Sequence, residues 1–212
     1  MKPLIQPAES IYDEIADKLA SQGYCILPQL LPAVLTNALH RRVINMDDDD
    51  FRQAGIGREL QFQLNQTVRQ DQIRWLNQQQ PVDAQYLAQM ADFRLAINRR
   101  LFMGLFDYEA HYAFYAPGAF YKKHFDAFKG QSNRVLTTVL YLNQDWQAAD
   151  GGQLLLYSPD GNKVIEQINP DFGSFVIFLS EQFPHEVVKS ACDRYSIAGW
   201  FRLHDPLQAP SL

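Results

Sequence analysis

The 212-residue sequence predicts an α+β fold in which helices precede a β-rich second half. In the first half, apolar residues recur at the three- and four-residue spacing of amphipathic helices. After Gly104, short β-branched and aromatic segments alternate with turn signals such as Pro117-Gly118 and Asp150-Gly151-Gly152. Many short strands at this spacing indicate a sandwich, barrel or jelly roll, and the helices are expected to pack on one of its sheets.

The helical half contains three predicted helices and one early strand. The first helix is predicted to begin with Ser10 as N-cap and to stop at Gly23, and Tyr24–Leu27 follows as a short strand. A second helix is expected from near Pro32 to Val43, because proline is favoured at a helix start. A third helix is predicted over 83–102, where apolar residues form a broad face.

Two polar stretches in this half predict loops. The acidic run at 47–50 is interpreted as a solvated turn, since nothing nearby supplies a closed metal-ligand set. The mixed stretch 55–68 contains Gly55 and Gly57 as breakers and predicts a flexible hairpin or loop. The β-rich half then contains six predicted strands, at 111–115, 135–142, 153–157, 164–168, 175–179 and 195–203.

The composition argues against several classes of protein. Hydrophobic residues make up 47% of the chain, which is enough for a sizeable core and argues against disorder. The net charge of -5 argues against a nucleic-acid partner, which would need a basic face. No segment approaches the roughly eighteen continuous apolar residues of a membrane span, and the first residues show no secretory pattern. We therefore expect no membrane association and a cytoplasmic location.

The two cysteines, Cys25 and Cys192, do not indicate a metal or disulfide framework. They lack the CxxC or Cys/His spacing of a structural zinc site. Two isolated cysteines in a chain of this size are expected to be reduced packing residues.

The segment His124-Phe125-Asp126 is a candidate metal-binding motif. On a strand, residues two apart point to the same face, so the imidazole and the carboxylate would project into one space. His185 is the third candidate ligand and could reach them only through folding. Two histidines and one carboxylate on one side of a metal form the pattern of Fe(II) oxygenases. The short motif by itself is weak, because a histidine and an aspartate also occur together on the polar face of ordinary strands.

Arg194 strengthens this interpretation. If 185–188 and 193–196 pair as a hairpin, Arg194 lies about two residues, or roughly 7 Å, from the level of His185. A five-carbon diacid that chelates the metal at one end would place its far carboxylate at such a distance. The planar, always charged guanidinium suits a buried carboxylate, although a surface charge at the start of a strand is the simpler alternative.

Several motifs follow one another over about ninety residues in the order and spacing of a known family. They are Tyr115-Ala116-Pro117-Gly118, His124-Phe125-Asp126, Thr138-Val139-Leu140-Tyr141-Leu142-Asn143, Trp146 with Asp150-Gly151-Gly152-Gln153-Leu154, Pro184-His185-Glu186-Val187, and Arg194-Tyr195-Ser196-Ile197 with Trp200-Phe201. They resemble the 2-oxoglutarate- and Fe(II)-dependent prolyl 4-hydroxylase superfamily. Upstream, the segment from Arg69 to Trp75 resembles the Arg-x-Asp-x-Ile-x-Trp segment of the hypoxia-sensing prolyl hydroxylases and their bacterial relatives.

The resemblance implies a double-stranded β-helix, or jelly roll, with N-terminal helices packed on one sheet. It implies a single dioxygenase domain over 1–212, with helical support and substrate loops in 1–105 and the jelly-roll core in 106–205. The implied cofactor is Fe(II), with 2-oxoglutarate and O2 as co-substrates and ascorbate as a further candidate. In such a family, 2-oxoglutarate becomes succinate and CO2 while the substrate is hydroxylated.

The resemblance also implies residue roles. His124, Asp126 and His185 would bind Fe(II). Arg194 would bind the distal carboxylate of 2-oxoglutarate. The implied roles of three aromatic residues are a hydrogen bond from Tyr141 to that carboxylate, an approach of Tyr115 to the metal-side end, and a pocket wall formed by Trp200.

Substrate contacts are predicted from the same resemblance. Arg134 matches a basic position that lines the substrate groove in the subgroup, and Asp71 is expected to pair with it across that groove. Gly55-Ile56-Gly57 falls where the family has a mobile finger loop, although a plain surface hairpin is an equal alternative. A second rim loop is expected at 127–133.

Three functions remain open from the sequence. The first is hydroxylation of a prolyl residue in a protein or peptide, with a translation component as one candidate target. The second applies the same chemistry to a free amino acid, a small metabolite or another side chain. The third is an inactive jelly-roll module that binds or senses without turnover. The complete set of His124, Asp126, His185 and Arg194 argues against the third, and the sequence indicates no oligomeric state.

Overall fold

The computed structural model describes residues 8–47, 51–53, 67–127 and 133–204. Most of the acidic run at 47–50, the proposed finger loop at Gly55-Ile56-Gly57 and most of the rim loop at 127–133 lie outside the described residues. No helix within the described ranges is long and apolar enough to cross a membrane.

Three helices form in the first half, close to the predicted positions. Their starts and ends follow local chemistry, since Pro81 occupies the first turn of the third helix and Gly23 ends the first with a φ of 81°. The predicted N-cap at Ser10 is wrong, because the first helix begins at Glu9 after an extended Ala8 that offers no capping side chain. The helices are α1 (Glu9–Gln22), α2 (Ala33–Ile44) and α3 (Pro81–Leu101), with a short 3-10 turn at Ala148–Asp150.

Eleven strands in the described ranges form two antiparallel sheets. The major sheet has the order β1-β9-β6-β11-β4-β3-β2, and the minor sheet has the order β5-β10-β7-β8. Facing sheets of this kind, with helices on one side, confirm the predicted jelly-roll fold. The strands are β1 (Tyr24–Leu27), β2 (Arg52–Gln53), β3 (Gln72–Trp75), β4 (Asp107–Tyr115), β5 (Tyr121–His124), β6 (Arg134–Tyr141), β7 (Leu154–Tyr157), β8 (Val164–Ile168), β9 (Phe175–Leu179), β10 (His185–Val187) and β11 (Arg194–Arg202).

The outer face of the major sheet packs against the three helices. Phe93 of α3 stacks on Phe201 of β11 with ring centroids 5.5 Å apart, and Tyr12 of α1 meets Phe93 edge-on. Gly199 is required on this face, because a Cβ at this position would collide with the hydroxyl of Tyr108. The helices therefore form one continuous core with one face of the sheet, which leaves the other face for the site.

The inner face of the major sheet and the minor sheet enclose a second apolar cluster. Directly opposite residues on neighbouring strands share a face, so the register identifies the inner side chains. Arg194 of β11 lies opposite Tyr115 of β4, and Ser196 lies opposite Tyr141 of β6. These four side chains therefore point into the space between the sheets.

The predicted hairpin of 185–188 with 193–196 is wrong. His185 lies on β10, which pairs with β5 and β7 in the minor sheet, whereas Arg194 begins β11 in the major sheet. The chain crosses between the sheets after Val187, so His185 and Arg194 approach the interior from opposite walls. Jelly-roll topology, and not a local turn, places the two residues on facing inner sides of the two sheets.

A buried carboxylate joins the helices to the sheet. Asp83 of α3 is fully buried and accepts hydrogen bonds from Arg42 Nε at 2.8 Å and the Tyr112 hydroxyl at 2.8 Å. The backbone N–H of Asn77 donates to its second oxygen at 3.1 Å. One side chain thus connects α2, α3, β4 and the segment that follows β3.

Asp83→Asn is expected to lower the free energy of unfolding by about 2 kcal/mol, because an amide nitrogen replaces an oxygen that accepts hydrogen bonds in a charged network. Asp13→Asn is the matched control, since Asp13 also binds an arginine, Arg100, at 2.7 Å but is 64% exposed. That control should cost less than about 1 kcal/mol. Urea unfolding measures both, and equal losses would contradict the role assigned to Asp83.

Candidate active site

The first two candidate ligands lie at the end of a strand of the minor sheet. β5 ends at His124, and Asp126 follows in a bend, so the prediction that both residues lie on one strand is wrong. The bend nevertheless turns the carboxylate toward the imidazole, with His124 Nε2 and Asp126 Oδ1 3.6 Å apart.

His185 reaches the same place from the neighbouring strand. It lies directly opposite His124 in the pairing of β10 with β5, and the two ring centroids are 4.3 Å apart. Its Nε2 is 3.5 Å from Asp126 Oδ2. Potential ligand atoms of the three residues all lie within 4.8 Å of one another, so the structure brings the predicted metal-binding residues together.

Hydrogen bonds orient both imidazoles for metal binding. His124 Nδ1 lies 2.8 Å from the carbonyl of Lys122, and His185 Nδ1 lies 3.2 Å from the carbonyl of Phe183. A carbonyl can only accept, so each Nδ1 carries the hydrogen and each Nε2 keeps a free lone pair. Two imidazole nitrogens and one carboxylate are a donor set that Fe(II) accepts.

Electrostatics favour the same protonation states. Burial alone would raise the pKa of Asp126, but His185 and His124 lower it, and the net pKa lies well below the usual value. Burial, followed by the neighbouring His124, lowers the pKa of His185 to about 4. At neutral pH the pair therefore offers a carboxylate and a neutral imidazole, the forms that bind metals.

The threonine at position 137 was missed by the sequence analysis. Its hydroxyl donates to Asp126 Oδ2 at 2.8 Å and lies 2.9 Å from the Ser180 hydroxyl. The single hydroxyl hydrogen of Thr137 is donated to the carboxylate, so the Ser180 hydroxyl must donate to the oxygen of Thr137. Thr137 belongs to β6, and it therefore fixes the candidate metal ligand to the major sheet. No sequence signal distinguished it from the other threonines of a buried strand.

Arg194 lies in a buried pocket on the same inner face. It is 1% exposed, and its Nε donates to the carbonyl of Gly152 at 2.8 Å. Its guanidinium carbon lies 4.9 Å from the ring centre of Tyr115 and 5.1 Å from that of Tyr141. Among the described residues it has no carboxylate partner, and a buried cation of this kind requires an anion.

Two tyrosines complete this pocket. The hydroxyl of Tyr141 is buried beside the guanidinium and finds no hydrogen-bond acceptor among the described residues, so its O–H is available as a donor. Burial raises the pKa of Tyr141 to about 12 and that of Tyr115 well above its usual value, which keeps both phenols protonated. A buried cation with an unpaired hydroxyl fits the distal carboxylate of a dicarboxylic acid.

Trp200 lies on the inner face but far from Arg194. It is six residues further along β11, or about 20 Å, and it pairs directly with Thr137. Because the Thr137 hydroxyl binds Asp126, this pairing places Trp200 at the level of the candidate metal ligands. The role of Trp200 as a wall of the co-substrate pocket stays a prediction.

The predicted pairing of Asp71 with Arg134 is wrong. Asp71 is fully buried and binds Arg69 through two hydrogen bonds of 2.6 and 2.8 Å. Arg134 binds Glu109 at 2.8 Å and covers the ring of Trp200 at 3.7 Å. Arg69 was missed, although its position two residues before Asp71 next to a strand could have indicated a same-face pair.

His111 is a buried histidine beside the candidate site. It is 2% exposed and lies on the inner face between Trp75 and Trp200. Burial, followed by the charge of Arg69, lowers the pKa of His111 from 6.5 to about 4.

This pKa gives a stability prediction for the metal-free protein. Between about pH 6.5 and pH 4, His111 is protonated in the unfolded chain but stays neutral in the folded chain. The free energy of unfolding therefore decreases as the pH falls, by about 1.4 kcal/mol per pH unit. His111→Gln should reduce the slope by that amount while the contribution of His185 remains. Urea unfolding at several pH values measures the slopes, and an unchanged slope in the variant would contradict the prediction.

A jelly roll with two imidazoles, one carboxylate and a buried cationic pocket is typical of non-haem iron oxygenases that use a dicarboxylic co-substrate. Comparison with known proteins agrees. Residues 110–202 match the family model described as the 2OG-Fe(II) oxygenase superfamily. The structure of a Pseudomonas putida prolyl-4-hydroxylase aligns with a TM-score of 0.82 and 39% identity over 92% of this chain and 100% of that one.

Two further relatives extend the comparison. A prolyl hydroxylase in complex with a hypoxia inducible factor oxygen degradation domain peptide fragment from Trichoplax adhaerens aligns with a TM-score of 0.81 and 27% identity, over 92% of this chain and 90% of that one. Egl nine homolog 1 from Rattus norvegicus is 35% identical over 85 residues, which are 40% of this chain and 25% of that protein. The match thus covers only a quarter of that relative's length.

The chain belongs to the 2OG-Fe(II) oxygenase superfamily. Membership assigns it Fe(II) as cofactor and 2-oxoglutarate and O2 as co-substrates. The protein is therefore an oxidoreductase of the dioxygenase type.

Proposed function

We propose that this dioxygenase hydroxylates a prolyl residue of a protein substrate. The observation that carries the proposal is the 39% identity with a Pseudomonas putida prolyl-4-hydroxylase over the whole length of that structure. The peptide complex of the Trichoplax adhaerens relative supports a protein or peptide substrate. We extend the proposal to a cytoplasmic protein, with a component of the translation machinery as the first target to examine.

The residues of this chain would divide the work as follows. His124, Asp126 and His185 would hold Fe(II) from one side and leave its other positions open. When bound there, Fe(II) supplies activation of O2 coupled to the conversion of 2-oxoglutarate to succinate and CO2, with one oxygen atom entering a substrate C–H bond. Arg194 and Tyr141 would hold the distal carboxylate, and Tyr115 would border the co-substrate toward the metal.

The inner cluster keeps water away from this space. Phe178 lies 4.8 Å from the His185 ring, measured between centroids, and Val139 and Val176 are buried beside it on the inner face of the major sheet. A water-poor cavity strengthens the electrostatic contacts of the co-substrate and limits side reactions. Thr137 contributes by fixing the Asp126 carboxylate in one orientation.

The charges near Trp200 favour a protein over a free amino acid. A small amphoteric substrate would need a second charged anchor near the metal. Arg134 binds Glu109 at 2.8 Å, and Arg202 binds Glu109 at 2.7 Å and Asp107 at 2.6 Å. These charges satisfy one another, which supports a substrate whose backbone is uncharged. Arg134 remains the proposed basic residue of the substrate groove.

The test is incubation of a cell extract with the protein, Fe(II), 2-oxoglutarate and ascorbate, followed by mass spectrometry of its peptides. A gain of one oxygen on prolyl residues, together with succinate formation, is expected. The Asp126→Ala protein is the control and should give neither product. Succinate formation with oxygen on other residues would contradict the prolyl assignment, and absence of both succinate and metal binding would contradict the enzyme assignment.

A further inference from the structure

The indole N–H of Trp200 is a buried donor that the fold leaves unused. Trp200 is 6% exposed, and its Nε1 makes no hydrogen bond with any described residue. It lies directly opposite Thr137, whose hydroxyl binds the candidate metal ligand Asp126. A buried donor without an acceptor is unfavourable, so this position indicates that a ligand brings an acceptor to the substrate side of the metal.

His111 offers the complementary group beside it. The ring centroids of His111 and Trp200 are 5.4 Å apart. His111 Nδ1 lies 3.1 Å from the carbonyl of Tyr112 and therefore donates to it, so Nε2 keeps its lone pair. Its pKa of about 4, lowered mainly by burial, keeps the ring neutral at physiological pH. Nε2 is thus an acceptor.

The two groups belong to a platform that reaches the surface. Trp75, 49% exposed, contacts His111 edge-on with ring centroids 5.2 Å apart. Arg134 covers the Trp200 ring at 3.7 Å and limits where that ring can move. The Trp75–His111–Trp200 platform therefore leads from solvent to the level of the metal site, with one acceptor and one donor side by side.

We propose that this platform binds the backbone of the residue directly before the target proline, with Trp200 donating to its C=O and His111 accepting from its N–H. The inference rests on the proposed function. In an extended chain the N–H and C=O of one residue point to the same side, as they do in a paired strand. A residue before proline is restricted to extended conformations, so both groups are already arranged for such a pair.

This mode of binding requires a backbone N–H on the residue directly before the target proline. It places no requirement on the side chain of that residue. A residue without that N–H, such as a second proline, removes the donor to His111. The platform therefore favours an ordinary residue before the target proline and disfavours Pro-Pro.

The experiment uses the full chain loaded with Zn(II), which has no redox chemistry, and saturated with 2-oxoglutarate. The probes are an alanine hexapeptide amide with one central proline, the same peptide with N-methylalanine directly before proline, and a third peptide with N-methylalanine two residues before proline. Dissociation constants come from ligand-observed NMR, and 2-oxoglutarate affinity is measured on the same samples.

The wild-type protein should bind the parent peptide about five- to tenfold more tightly than the peptide methylated directly before proline. His111→Phe should bind these two equally, whereas Trp200→Phe should weaken all three peptides and keep the discrimination. Methylation two residues before proline should have the same effect on wild type and His111→Phe. The His111→Phe variant keeps a flat aromatic ring at this position. If His111→Phe does not fold, Trp200→Phe still gives an independent result.

The inference would be overturned if wild type and His111→Phe showed the same preference for the parent peptide over the peptide methylated directly before proline. It would also be overturned if wild type did not bind the parent peptide. Intact Zn(II) and 2-oxoglutarate binding in that case leaves the dioxygenase assignment standing. Absence of 2-oxoglutarate binding would instead defeat the proposed function itself.

Discussion

Replacing Asp126 with alanine is expected to abolish Fe(II)-dependent succinate formation while the fold survives. Asp126 is the only carboxylate that the structure brings to His124 and His185 within its described ranges, and its net pKa lies well below the usual value despite burial. Loss of a direct ligand should weaken metal binding by more than the about 10- to 100-fold caused by loss of a supporting group. Zn(II) titration calorimetry and a succinate assay measure the two effects.

Asp160→Ala provides the matched control, because Asp160 is an aspartate in an exposed turn. It should leave metal affinity and succinate formation unchanged. His124→Ala should reproduce the loss seen with Asp126→Ala. Activity retained in both ligand variants would show that the metal is held elsewhere.

Arg194→Ala is expected to raise the 2-oxoglutarate requirement far more than it weakens iron binding. Arg194 is 1% exposed, and the substitution leaves the far carboxylate of the co-substrate buried without its cation. Removal of one partner from a buried charge pair costs about 2–5 kcal/mol, which corresponds to a 2-oxoglutarate requirement raised by about 30-fold to several thousandfold. The concentration of 2-oxoglutarate for half-maximal succinate formation measures this change.

Arg202→Ala is the control for Arg194. Arg202 lies on the same strand and the same face, but at the far end, where it binds Asp107 at 2.6 Å. Its loss should change the 2-oxoglutarate requirement by less than about twofold, since exposed and partly exposed ion pairs act locally. An equal effect of both variants would mean that general positive charge, and not the Arg194 pocket, determines co-substrate affinity.

Local pattern was sufficient to predict most elements of this fold. Tyr24–Leu27 and Val164–Ile168 form strands with the predicted bounds, because apolar and β-branched runs ended by turn residues leave few alternatives. The strands that are absent from the predicted set, β2, β3, β5 and β10, have only two to four residues, which is too short for a clear period to stand out. Ser10 failed as a cap because the sequence does not show which residue first adopts helical angles.

For the candidate site, the sequence predicted which residues take part but not which residues contact one another. The residue types and their order indicated His124, Asp126, His185 and Arg194, because iron and a dicarboxylate require those chemical groups. The partners of these residues depended on contacts between distant strands. Sequence spacing therefore suggested a hairpin for Arg194 that does not exist. The choice of Arg69 as the partner of Asp71 was likewise decided by packing.

The hydrogen bond from Thr137 to Asp126 has a mechanical consequence. His124 and His185 belong to the minor sheet, whereas the Asp126 carboxylate is held by a strand of the major sheet. A metal bound by all three would join the end of β5 to β10, and the Thr137 hydrogen bond would tie that metal-linked pair to the major sheet. At a free metal concentration of 100 times its dissociation constant, binding adds about 2.7 kcal/mol to the stability of the folded chain. The metal-free protein should therefore separate its two sheets, and be cleaved by proteases, more often than the metal-bound protein.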